Sequence, residues 1–306
     1  MNIREIAERP ERLASGHRLC PGCAAPIIVR QALKAIKEPV VVANATGCLE
    51  VSTTIYPYTA WRVPWIHNAF ENAAATITGV EAAYKALKRR GKVKKEIRFV
   101  AFGGDGGTYD IGLQSLSGAL ERGHRFLYIC YDNEAYMNTG IQRSSATPKG
   151  AWTNTSQVGS VLQGKKEFKK DLTSVVIAHH IPYVAQATPA NHIDLMRKVE
   201  KAVSMEGPAF MNILSPCSRG WRFEPQLTIK IAQLAVDTCF WPLFEVENGR
   251  YTINYDPGEA KKPISEWVLS QGRYSHLWNN KQYIDDLQRD IDQQWAMLKF
   301  MASRAL

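Results

Sequence analysis

Five short apolar runs recur along the chain with little alternation of polar and apolar residues: 38–46 (EPVVVANAT), 96–104 (EIRFVAFGG), 125–133 (RFLYICYDN), 181–188 (IPYVAQAT) and 208–216 (PAFMNILSP). Runs this rich in β-branched and aromatic residues read as strands buried on both faces. Between and around them lie stretches with helical patterning, at 24–37, 69–90, 111–122, 171–180 and 191–205. In the last of these, Ile193, Met196, Val199 and Val203 form one apolar stripe. Strands that alternate with helices predict an α/β fold with a doubly wound, mostly parallel sheet. After Cys217 the texture changes to a hairpin-like arm (WPLFEVENGRYTINYDPGEAKKP) and then a helical tail. We therefore expect an α/β domain over 1–215, with a cysteine-rich N-terminal segment, and a C-terminal extension over 216–306 that is a candidate for subunit contact.

A chain of 306 residues, 45% of them apolar, can bury the core that such a sheet needs. No apolar run approaches the roughly 18 residues of a membrane span. The first twenty residues carry acids and no apolar core, unlike a signal peptide. The expected location is the cytoplasm. There, six cysteines point to metal ligands, catalysis or inert core rather than disulfides. The net charge of +9 reads as a solvated surface or a face for acidic partners. Its lysines gather at 85–95 and 165–170 without interleaved aromatics, so neither nucleic acid nor membrane is an expected partner.

The run 96–104 ends in Gly104, and Asp105, Gly106 and Gly107 follow. Ligands of open parallel sheets bind at the carboxyl ends of strands. Asn133 ends the next run 28 residues later, about one βαβ unit, so both side chains should point into one crevice. A carboxylate and an amide oxygen are hard ligands suited to Mg²⁺, which keeps further positions for substrate phosphates. The glycines would let a diphosphate come close, and the helix starting near Ile111 would offer it free N–H groups. The plainer reading is a glycine-rich turn with a capping aspartate. Neither a P-loop nor a G-x-G-x-x-G fingerprint is present.

Cys20 and Cys23 form a C-x2-C pair; Cys48 and Cys217 each follow a candidate strand end on the same edge as Asp105. Four thiolates can hold a [4Fe–4S] cluster or a structural Zn²⁺. A soft-metal site beside a cofactor crevice favours electron transfer over stapling. Cys130 and Cys239 lie inside apolar runs and read as core.

Long motifs now converge. GDGGTYDIGLQSLSGALERG, YDNEAYMNTGIQRSSATPKGA, HRLCPGC and the late QGRYSHL resemble the β subunit of 2-oxoacid:ferredoxin oxidoreductases, above all the pyruvate branch, over nearly the whole chain. The resemblance implies the thiamine diphosphate-binding fold. It implies Mg²⁺ on Asp105, Asn133 and the carbonyl of Ala135, with Gly104, Gly106 and Gly107 at the diphosphate. Asn138 and Thr139 would lie by the thiazolium, with Asn138 close to the oxoacid and catalytic. Gly47, Cys48, Asn68 and Glu71 would border the thiamine pocket, although Gly47 also suits a tight turn, and Asn68 and Glu71 also suit a helix start. A [4Fe–4S] cluster would sit on Cys20, Cys23, Cys48 and Cys217.

The implied activity is coenzyme A-dependent oxidative decarboxylation of a 2-oxoacid, with electrons passed to ferredoxin. Pyruvate is the favoured substrate; 2-oxoisovalerate, 2-oxoglutarate and oxalate are the alternatives. CSRGW at 217–221 departs from the small-residue pattern of the pyruvate branch. The glutamate that activates thiamine would come from an α subunit, and γ and ferredoxin-like δ subunits would complete the enzyme. The competing class is a non-redox thiamine diphosphate enzyme with a structural zinc.

Overall fold

The structure is a computed structural model that describes residues 3–304. Eight strands make one sheet: β1 (Val40–Ala45), β2 (Trp65–Asn68), β3 (Arg98–Gly104), β4 (Leu127–Asp132), β5 (Tyr183–Ala187), β6 (Ala209–Leu214), β7 (Phe244–Glu247) and β8 (Arg250–Ile253). Their order is β2-β1-β3-β4-β6-β5-β7-β8. The first six in that order run parallel. The arm after Cys217 adds β7, antiparallel to β5, and β8, antiparallel to β7, at the edge of the sheet.

The missing alternation in the strands has its cause in two covered faces. In β3, Val100 and Phe102 enter an apolar cluster with the helices Ala25–Ala35 and His192–Ser204. Their neighbours Phe99 and Ala101 enter the opposite cluster, with Ala73–Arg89 and Leu113–Glu121. A third cluster, almost wholly from residues after 213, unites Trp221, Trp241, Trp267 and Trp295.

Two expectations need correction. The stretch WIHN forms β2, paired with β1 from Val42↔Trp65 to Ala45↔Asn68, so the following helix starts at Ala73 rather than at 69. Four residues give too short a pattern to declare a strand. In the helix His192–Ser204 the buried face is Leu195, Met196, Val199 and Ala202, with Lys198 among them. Lys198 is absorbed because its Nζ donates to Gln186 O and to Asp194 Oδ2, both at 2.7 Å.

Candidate cofactor and metal site

The register places Gly104 beside Tyr131, and Asp132 beside Leu214. The carboxyl ends of β3, β4 and β6 therefore lie side by side at the centre of the sheet. Asp105 leaves β3 and starts a turn of π-helix, Gly106–Ile111, in which Gly112 N–H donates to Gly107 O at 2.7 Å. The glycines here answer first to the protein. A Cβ on Gly106 would lie 2.5 Å from the Tyr136 ring, and one on Gly107 2.8 Å from Phe70 O.

Asp105 is buried. Its Oδ2 accepts from Ser144 Oγ at 2.5 Å, and its Oδ1 from Asn133 N–H at 3.3 Å. The outer end of the Asn133 amide lies 2.8 Å from Asp105 Oδ1 and 2.9 Å from Ala135 O. If that end is the NH₂, it donates to both. If it is the oxygen, three oxygens converge, a contact that a cation between them stabilises. Adjacent oxygens of an octahedral Mg²⁺ at 2.0–2.1 Å stand about 2.9 Å apart, so the observed edges fit that ion.

Electrostatics points the same way. Burial pushes the Asp105 carboxyl well above the usual range, and the nearby charge of Asp132 adds to this; Ser144 and Lys169 oppose the rise. Lys169 is committed elsewhere, to Asp132 and Glu134. A buried carboxylate without its own charge partner is costly, and a divalent cation would remove that cost.

One cleft is lined by Gly47, Cys48, Gly104, Asp105, Gly106, Gly107, Asn133, Ala135, Asn138 and Thr139, together with Thr46, Phe70 and Met137. The fold thus gathers most of the residues named from the sequence. Asn68 and Glu71 lie outside it. Asn68 is buried and donates to Thr76 Oγ1 at 2.7 Å, tying β2 to the following helix, and Glu71 is exposed. The cleft encloses only about 20 Å³. It has room for a cation and not for a whole diphosphate cofactor, whose remainder must lie above this floor.

The four cysteines sit at the rim. Cys48 opens the helix Cys48–Thr53 directly after β1. Cys217 follows β6, and its Sγ accepts from Gly220 N–H at 3.3 Å. The CPGC turn is pinned to that segment: Ser218 Oγ donates to Pro21 O at 2.9 Å, and Thr228 Oγ1 to Gly22 O at 2.6 Å. Burial, helped by the nearby cysteines Cys20 and Cys217, pushes the Cys23 and Cys48 thiols up to about 12. Cys20, Cys48 and Cys217 thus lie near enough to Cys23 to act on its charge. A metal bound to Cys23, Cys48 and Cys217 would take the place of their protons. Among the described residues no group of three Cys, His, Asp or Glu side chains is set to hold a single metal ion. Asn138 and Cys48 both line the cleft, which links it to the rim. Cys130 and Cys239 are buried.

Sequence reasoning missed the residues beneath the cleft. Asp132, Glu134, Lys169 and Arg273 form a buried chain of ion pairs. The basic run at 165–170 gave no sign of it. Lys165 is also buried, and its Nζ donates to Ser145 O at 3.1 Å and Thr147 O at 2.5 Å.

Comparison with known proteins agrees with this geometry. Residues 45–213 match the thiamine pyrophosphate enzyme, C-terminal TPP binding domain. The chain is 51% identical to the pyruvate synthase subunit PorB of Thermotoga maritima, covering 97% of this chain and 95% of that protein. It is 55% identical to PorB of Methanocaldococcus jannaschii, over 95% and 97%. It is 46% identical to the ketoisovalerate oxidoreductase subunit VorB of Pyrococcus abyssi, over 95% and 94%. A solved 2-oxoglutarate:ferredoxin oxidoreductase from Magnetococcus marinus shares the fold, with a TM-score of 0.56 and 20% identity over 74% of this chain and 81% of that one. The chain belongs to the thiamine diphosphate-dependent 2-oxoacid:ferredoxin oxidoreductases, as one subunit of an enzyme built from several. Among the described residues no helix is long and apolar enough to cross a membrane.

Proposed function

We propose that this chain binds Mg²⁺–thiamine diphosphate and a [4Fe–4S] cluster, and acts in the coenzyme A-dependent oxidative decarboxylation of pyruvate, reversibly, with ferredoxin as electron acceptor. Bound thiamine diphosphate supplies the electron sink for decarboxylation, and the cluster supplies one-electron transfer. The observation that carries the reading is Asp105: a buried carboxylate in contact with the Asn133 amide, which also meets the Ala135 carbonyl, at the meeting point of three strand ends. Asp105, Asn133 and the Ala135 carbonyl would hold the Mg²⁺, and Ser144 fixes the Asp105 carboxylate by its hydrogen bond.

Asn138 lines the cleft together with Cys48. It would orient the oxoacid above the floor. Cys20, Cys23, Cys48 and Cys217 would ligate the cluster. Their place beside the cleft that would hold the thiamine supports a redox cluster over a structural zinc. The shallow cleft supports completion of the site by an α subunit, which would bring the carboxylate that activates thiamine. γ and δ subunits and cytoplasmic ferredoxin complete the proposed path. The pyruvate assignment follows the PorB relatives, and the VorB relative makes 2-oxoisovalerate the second substrate to try.

The test is anaerobic purification of the complex, with iron, sulfide and zinc measured beside the visible spectrum and assay on both oxoacids. About four irons and four sulfides per chain beyond those of the partner subunits, with broad brown absorption, are expected. Zinc at the four cysteines would overturn the redox part of the reading.

A further inference from the structure

Glu134 stands between Asn133 and Ala135, the two residues that share the proposed cation with Asp105. It is fully buried, and its φ of +68° lies in the left-handed region that a glutamate does not choose. Something must hold it there. Glu134 Oε2 accepts from Arg273 Nη2 at 2.6 Å, and Oε1 from Lys169 Nζ at 2.9 Å. Lys169 also donates to Asp132 Oδ2 at 2.8 Å, and Asp132 Oδ1 accepts the Glu134 N–H at 3.1 Å. Thr147 Oγ1 donates to Glu134 O at 2.7 Å.

Arg273 is itself fixed. It is 2% exposed, and its guanidinium lies 4.0 Å from the centre of the Trp221 ring. Its Nε donates to Gln271 Oε1 at 2.9 Å. Trp221 Nε1 in turn donates to Asn133 O at 2.8 Å. Arg273 and Trp221 both belong to the stretch after residue 216. That stretch therefore grips the Asn133–Ala135 turn twice, once by the Glu134 side chain and once by the Asn133 carbonyl.

We propose that Arg273, stacked on Trp221, is a positioning residue for the cation site. It holds the turn at Glu134 so that the Asn133 and Ala135 oxygens face Asp105, and the C-terminal extension is thereby a working part of cofactor binding. The proposal rests on the reading that these oxygens hold a divalent cation. Charge gives it a sharp edge. Asp132 and Glu134 are balanced by Lys169 and Arg273. Removing the Arg273 charge leaves an extra buried negative charge next to the site. By electrostatics alone that change would tighten cation binding. Loss of positioning would weaken it.

The experiment titrates Mn²⁺ with thiamine diphosphate into the chelator-treated complex and follows the electron paramagnetic resonance signal of free Mn²⁺, with melting temperature measured in parallel. Arg273→Met should weaken Mn²⁺ binding by about 10- to 100-fold, the usual effect of removing a group that orients metal ligands. Arg273→Lys keeps the charge and loses the fork and the stacking, and should fall between. Trp221→Phe keeps the stacking surface and loses the bond to Asn133 O; it should also weaken Mn²⁺ binding, with a smaller loss of stability. Unchanged or tighter binding in folded Arg273→Lys and Trp221→Phe would overturn the proposal and leave the cation site standing. Failure of the unmodified complex to take up Mn²⁺ would overturn the cation reading and this proposal with it.

Discussion

Two candidate sites lie on one edge of the sheet, and they are built differently. The oxygen site is assembled from the ends of adjacent strands. Asp105 and Ala135 are buried, and each is held by several hydrogen bonds or by the buried charges below. The thiol site draws on three segments far apart in sequence, and Cys20 is exposed. Its geometry depends on a tight turn and two hydroxyl tethers. The difference teaches what each ligand asks. A hard cation demands near-ideal octahedral geometry and repays rigid strand ends. A cluster brings its own rigid framework and can order the thiolates that meet it.

The largest expected effect comes from Asp105→Asn. It should lower Mn²⁺ affinity in the presence of thiamine diphosphate by more than about 100-fold, beyond the range for groups that only orient ligands. The same change should stabilise the cation-free protein. The sign follows from the raised pKa: the folded state holds the Asp105 proton more tightly than the unfolded chain. This site's contribution to stability is therefore full below the unfolded pKa and is lost as pH rises through the folded one. Melting temperature of the cation-free complex against pH should fall less steeply for Asp105→Asn than for the unmodified protein.

Cys48→Ser comes next and should separate the two sites. Iron in this chain should drop from about four per chain to under half of that, while Mn²⁺ uptake stays within a few-fold. Equal loss of both would show that the sites are one unit.

Gly106→Ala should cost about 1–3 kcal/mol of stability, because the new methyl must displace the Tyr136 ring that closes the cleft. Chemical denaturation would read it, with a modest loss of Mn²⁺ affinity.

The smallest effect belongs to Glu71→Gln. Glu71 is exposed and outside the cleft, so stability should move by less than about 0.5 kcal/mol and cofactor affinity should not move. A clear loss of thiamine diphosphate affinity would return Glu71 to the site.

The oxygen site was legible in the sequence because strand ends leave local marks: an apolar run, then Gly104–Asp105–Gly106, and Asn133 at one βαβ spacing. The cysteine pair Cys20–Cys23 was legible for the same local reason. Glu134 and Arg273 were not. They are 139 residues apart and meet only through the third apolar cluster. Lys169 sat within a basic run that mixes the exposed Lys166 with the buried Lys165, and nothing local tells the inward lysines from the outward one. β2 escaped notice because its four residues are held by pairing with β1 rather than by a pattern of their own.

The central claim is that one edge of this sheet carries a divalent cation on Asp105, Asn133 and Ala135 beside an iron–sulfur cluster on four cysteines. Anomalous diffraction from crystals of the anaerobic complex, loaded with Mn²⁺ and thiamine diphosphate, tests both halves at once. The account predicts a manganese peak among the three oxygens and an iron peak enclosed by Cys20, Cys23, Cys48 and Cys217. A zinc peak at the cysteines, or manganese bound away from Asp105, would contradict it.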